Sequence, residues 1–212
     1  MATAKKAAPT VDSGAREAVK LERIQRRVLT VDIIGVTPLI PHAWSVKARR
    51  LMLESQSGVT VASKRGAKVP EEEAEGALYR LPDGTPGMPA VAFKAAIIGA
   101  VRLFKGITLV ESKSALFVEG VGPDQLVPIE GEMTLREDTP RNANGNADLR
   151  YRYAFFPWKA TLRVQFPATF ITDSSVVNLV DAAGDGGVGD WRPSAPKSLT
   201  GTFGRFRVVT DD

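Results

Sequence analysis

Cysteine is absent from this 212-residue chain, and histidine occurs once, at His42. The first absence removes disulfide frameworks, thiolate zinc sites and cysteine nucleophiles. The second removes any centre that needs two imidazoles, so a bound metal would depend on carboxylates alone. No uninterrupted apolar run approaches the roughly 18 residues that span a bilayer. Residues 1–27 carry lysines but no apolar core or cleavage pattern of a signal peptide. We therefore expect a soluble cytoplasmic protein with no membrane partner, no metal and no cofactor.

An apolar fraction of 43% and a charged fraction of 25% are those of a globular chain with one buried core. The formal net charge of +4 permits nucleic-acid binding without demanding it. Placement of the charges matters more than their sum.

Residues 1–26 read as a flexible basic tail, able to touch phosphates or a neighbouring subunit, or simply solvated. Residues 27–212 read as one domain. Within it, 28–36 (VLTVDIIGV) is β-branched and expected to be a central strand. Residues 38–87 are expected to form an inserted lobe with a short helix near 45–56, a basic stretch at 63–69 and an acidic run at 71–75. Residues 89–105 make the strongest helix, with Pro89 in the first turn and Phe93, Ile97, Val101 and Phe104 at helical spacing. Short strands are expected at 115–118 and 126–129, then a long hairpin loop over 137–149, which is polar and asparagine-rich. Strands follow at 150–156 and 160–166, broken near Pro157. Thr172 caps a helix to about 183, and 202–209 is the last strand. The order is that of an α+β, ferredoxin-like or RRM-like βαββαβ sheet, whose bare face could take single-stranded nucleic acid.

The segment 184–207 (GDGGVGDWRPSAPKSLTGTFGRFR) concentrates glycine. Such a loop allows positive φ, and successive amides can form an anion-binding concavity. Arg192, Lys197, Arg205 and Arg207 stand by for phosphates, with Trp191 and Phe203 for stacking. A P-loop or dinucleotide fold is excluded, because this loop follows a helix and opens a strand, and no Gly-Lys-Ser/Thr occurs. A glycine-rich connection without a ligand is the plain alternative.

Gly187, Val188 and Gly189, followed by Gly201 and by Gly204-Arg205-Phe206, resemble the C-terminal glycine-rich loop of the RAMP superfamily. These are RRM-fold proteins that include backbone subunits of CRISPR effector complexes. Residues 88–102 are similar to that family's first helix, with Lys94 and Arg102 at its basic positions, and Thr37-Pro38-Leu39 to the turn after its first strand. The interval from Gly189 to Gly201 is longer than the family's usual loop. Asp148 to Arg152 and Gly189 to Pro193 also resemble stretches of short solitary proteins encoded by bacteriophages. The resemblance implies a bacterial or phage-infected host cell, and non-enzymatic binding of single-stranded DNA or RNA by its backbone. It also implies copies arrayed side by side as a homo-oligomer or filament.

Further candidates come from the residues themselves. Trp44, Lys47, Arg49 and Arg50 form a basic-aromatic cluster beside His42, as single-strand grooves do, or else a solvated helix face. Arg150 and Arg152 alternate with Tyr151 and Tyr153, so the arginines share one face of a strand. The expected binding set is thus Trp44, Lys47, Arg49, Arg50, Lys94, Arg102, Arg150, Arg152, Gly187, Gly189, Trp191, Arg192 and Arg205. His42 is a weak catalytic candidate, as general base of a metal-independent endoribonuclease, with no partner identifiable from spacing. A protein-assembly module is the third alternative.

Overall fold

The structure is a computed structural model, and it describes residues 20–44, 46–57, 69–140, 147–196 and 199–210. The expected basic stretch at 63–69 lies almost wholly outside these residues, as do the first 19 residues, Lys197 and the asparagine-rich part of the long loop.

Strand β1 (Arg26–Gly35) is central, as expected. It pairs antiparallel with β7 (Arg150–Pro167) on one side and with β8 (Phe206–Val208) on the other. Its apolar residues nonetheless divide between faces. Val31 and Ile33 are buried, while Val28 and Ile34 are exposed, so the lack of alternation in the sequence did not mean burial on both sides.

The segment after β1 bonds back into the sheet, Leu39 and Phe155 exchanging backbone hydrogen bonds of 3.0 and 2.9 Å. It continues into α1 (Val46–Gln56), α2 (Pro70–Gly76), β2 (Tyr79–Arg80) and β3 (Pro86–Pro89). The acidic run is thus helix α2, with Pro70 in the first turn and three glutamates at the N-terminal end, where the helix dipole favours them. Strand β3 lies between β2 and β5 (Leu126–Pro128) in a small second sheet.

Helix α3 (Ala90–Ala100) passes into a 3₁₀ turn, Val101–Leu103, before Gly106, so Phe104 lies outside the helix. Residues 109–115, next to the expected strand at 115–118, form helix α4 (Leu109–Ala115). Its start is a capping box: Thr108 accepts from the Glu111 amide, and the Glu111 carboxylate accepts from the Thr108 amide. Strand β4 (Phe117–Glu119) follows, and β6 (Glu130–Asp138) takes up part of what reads as loop. Strand β7 is continuous through Pro157. The proline sits opposite an irregularity in β6 between Gly131 and Met133, where no ladder donor is required of it. Helix α5 (Asp173–Gly186) is capped by Thr172, whose side chain accepts from the Ser175 amide.

The main sheet has the order β4–β7–β1–β8, all antiparallel, with β6 continuing the β4 edge along the first half of β7. With β4 and β6 counted together as second strand, this is the ferredoxin-like order. Helices α3 and α5 cover one face. Phe93 and Ile97 of α3 and Leu179 and Val180 of α5 meet Val31, Ile33, Leu162 and Val164 of the sheet. The rings of Phe93 and Trp158 each meet Phe206 edge-on, with centroids 6.2 Å apart.

Candidate functional site

The glycine loop is a backbone-on-backbone pad. Helix α5 ends at Gly187, whose φ of 65° turns the chain and whose amide bonds the Ala183 carbonyl at 3.1 Å. Beyond it, Val188 donates to Gly204 (3.0 Å), Asp190 to Ile40 (2.9 Å), Phe203 to Trp191 (3.1 Å) and Gly204 to Pro38 (2.7 Å). The Arg205 amide donates to Thr37 Oγ1 at 3.0 Å. These amides are occupied by the chain's own oxygens, so they do not form the anion concavity that glycine content led us to expect. The glycines answer a different need. A Cβ on Gly189 would lie 2.7 Å from the Ile40 carbonyl, and one on Gly204 would collide with the Val188 carbonyl.

Between this pad and α3 runs a cleft of about 510 Å³. Ala92, Ala95 and Gly99 of α3 face it with little side chain, and Gly187 and Gly189 do the same from the loop. Arg102 after α3, Lys113 on α4 and Arg192 on the loop bring three cations to its walls, and His42 and Tyr79 complete the lining. Arg192 is steadied by its own loop, Nη1 donating to the Gly189 carbonyl at 2.9 Å.

The carboxylate in the lining is Asp190, and it is already engaged. Its Oδ2 accepts from Arg152 Nη1 and lies 3.0 Å from His42 Nδ1. Partial desolvation at the cleft wall (the side chain is 45% exposed), then the charges of Arg152 and Arg150, hold the His42 pKa below the ordinary imidazole value. The neutral ring that results carries its proton on Nδ1, toward Asp190, and leaves Nε2 an acceptor. Asp190 is the partner that spacing did not reveal for His42.

Arg152 is 2% exposed, and its Nη2 has no hydrogen-bond partner. It lies directly opposite Arg136 of β6. Two guanidiniums so placed repel, and the loop relieves this. Arg152 sits 5.1 Å from the Trp191 ring, Arg136 lies 5.0 Å from the Phe203 ring and is ion-paired with Asp138, and the two rings are 5.9 Å apart. Trp191 and Phe203 therefore stack on each other and on arginines. The arginine-bearing face of β7 is a covered layer here and not an open platform, while Tyr153 packs toward the core.

Elsewhere the expected residues are held apart from the cleft. Lys94 lies 3.8 Å above the Phe117 ring and does not line the cleft. Arg150 pairs with Asp148, and Arg50 with Glu54. Arg205 and Arg207 share Asp185, whose carboxyl they hold below its ordinary pKa. Trp44 and Arg49 line a second hollow, and the Lys47 side chain is outside the described residues. The bare face of the main sheet carries Lys159 and Arg163, each paired with a glutamate, at 3.0 and 2.9 Å. Both of these cations are therefore already engaged.

Of the expected set, His42, Arg102, Gly187, Gly189 and Arg192 meet at one cleft. Lys113 was missed, although the Thr108–Glu111 capping spacing in the sequence marks the helix that carries it. Among the described residues there is no group of three His, Asp or Glu placed to hold a metal, and no helix is long and apolar enough to cross a membrane.

No protein-family model matches the chain, and no curated protein matches it. Among solved structures it is similar to a chain of "Cryo-EM structure of the Type III-B Cmr-beta bound to cognate target RNA", with 11% identity and a TM-score of 0.49 over 87% of this chain. It spans 59% of that longer chain. It is also similar to Cmr6 from Pyrococcus furiosus, with 11% identity and a TM-score of 0.40, over 88% of this chain and 100% of that one. The fold assignment stands on strand order and pairing, and likenesses at this level add no residue correspondence.

Proposed function

We propose that the chain binds single-stranded nucleic acid by its sugar–phosphate backbone, in the cleft between α3 and the glycine loop, without cleaving it. The observation that carries this is the convergence of Arg102, Lys113 and Arg192 on a groove floored by alanine and glycine, whose lining carboxylate is already engaged by Arg152. Cations supply phosphate affinity, and the missing side chains let a backbone approach closely.

The RAMP-like glycine loop adds the expectation of copies side by side along the strand. Two settings fit: an RNA-backbone role in a CRISPR-like complex, and a phage single-strand DNA-binding or annealing role. They differ in the sugar, since only RNA offers a 2′-hydroxyl. Titration of purified chain with single-stranded DNA and RNA at two salt concentrations tests both points. Salt-dependent affinity for at least one strand is expected, and salt-insensitive or absent binding sinks the proposal.

One observation favours a second reading, an endoribonuclease. The Asp190 carboxylate orients His42 in the cleft, with Nε2 free to accept a proton from a 2′-hydroxyl. A His42→Ala variant that binds RNA as before, with no cleavage by either form, leaves the binder alone standing.

A further inference from the structure

A second hollow, of about 460 Å³, shares Tyr79 with the cleft. Its chemistry differs from that of its neighbour. The indole of Trp44 is 55% exposed there, although folding usually covers so large a ring. Arg49 and Asp124 stand in the same lining, and neither makes a hydrogen bond or ion pair with another described residue. Arg80 and Glu75 satisfy each other, Nη2 donating to Oε2 at 2.7 Å, while Arg80 Nη1 donates to the Gly84 carbonyl at 2.7 Å.

Charge separates the two spaces. The cleft offers Arg102, Lys113 and Arg192 against one carboxylate already engaged, which suits phosphate. In the hollow, two arginines face two carboxylates, so a phosphate gains nothing, while an aromatic face, a free donor and a free acceptor remain. The Tyr79 hydroxyl donates to the His42 carbonyl at 3.1 Å and pins the ring as the ridge between them. A strand lying in the cleft can drape one base over that ridge.

We infer that the hollow between Trp44 and Tyr79 is a nucleobase subsite, taking a base that carries an exocyclic amino group. This rests on the proposed backbone binding in the cleft. The base stacks on the indole of Trp44. The Asp124 carboxylate accepts from the amino group, as acidic side chains do from cytosine N4, and Arg49 donates to the base's keto oxygen or ring nitrogen. Uracil and thymine present a keto oxygen at that place, which the carboxylate repels.

The test uses the full chain and short single strands of cytidine, of uridine and of abasic sugar–phosphate, followed by fluorescence anisotropy at two salt concentrations. Cytidine strands are expected to bind tighter than uridine strands by about fivefold or more. Asp124→Ala should erase that preference. Trp44→Ala should weaken cytidine binding by about fivefold, and Trp44→Phe should restore most of it. Neither change should alter the salt slope, and both positions are exposed, so folding is preserved. Equal affinity for all three strands, with salt dependence intact, overturns the subsite and leaves the cleft. Loss of salt-dependent binding to every strand overturns both.

Discussion

Asp190 holds His42 and Arg152 with the same carboxylate oxygen, 3.0 Å from His42 Nδ1 and accepting from Arg152 Nη1. It is the carboxylate in direct contact with a buried guanidinium beside the cleft, while Asp138 and Asp148 add longer-range compensation. Removing Asp190 leaves Arg152 without its direct carboxylate partner, and only the Trp191 ring and more distant carboxylates remain to offset its burial. Asp190→Ala is therefore expected to destabilise the chain by roughly 3 kcal/mol. Arg152→Met, which keeps the volume and removes the charge, should cost less. Urea melts of the two variants check the order, and equal losses would contradict it.

His42 gives stability a pH dependence of known sign. The unfolded chain protonates this residue near its ordinary value of about 6.5, and the folded chain only at lower pH. Between those values the unfolded state binds more protons, so stability falls as pH drops below about 6.5 and levels off beneath the folded value. Thermal melts across that window should show the decline in the native chain and its loss in His42→Asn. With no second histidine in the sequence, the difference reads one group.

Salt slopes separate the cleft from the sheet face. Arg102→Ala, Lys113→Ala and Arg192→Ala should each weaken strand binding and lower the slope of log affinity against log salt by about one. Lys159→Ala and Arg163→Ala remove cations already paired with glutamate and should leave the slope unchanged. A slope that responds only to the second pair would move the site to the open face.

Two glycines are expected to respond in opposite ways. Gly204 has a φ of 67° and no room for a methyl, so Gly204→Ala should cost about 2 kcal/mol or more. Gly99 lies in α3 with nothing within 4 Å of where a methyl would stand, so Gly99→Ala should gain about 0.5–1 kcal/mol. Because Gly99 faces the cleft, Gly99→Leu should keep the fold and weaken strand binding. Melts paired with titrations check each.

Strand β1 and helices α3 and α5 were legible because their signals are local: a β-branched run, alanines behind Pro89, and Thr172 as cap. The glycine loop and Arg102 were legible as candidates for the same reason. Helices α2 and α4 escaped because seven residues of polar sequence carry little periodicity, even with a capping box present. Strand β6 escaped because almost all of it is exposed on both faces and its alternation is only two apolar residues long, Met133 and Leu135. The engagement of Asp190 with His42 and Arg152 joins three distant segments, and no spacing rule reaches across them. Arginine content could not say which cations are free; that depends on Asp185, Glu119 and Glu130, placed by the fold.

The loop amides that bond Pro38 and Ile40 also decide when the cleft can exist. One wall comes from residues that leave the ribosome early, His42 and Tyr79, and the other from Gly187 to Arg192, fastened only once Phe203 and Gly204 have arrived. The two walls thus belong to segments about 150 residues apart in sequence, and the bonds from Asp190 to Ile40 and from Gly204 to Pro38 are what make them one cleft.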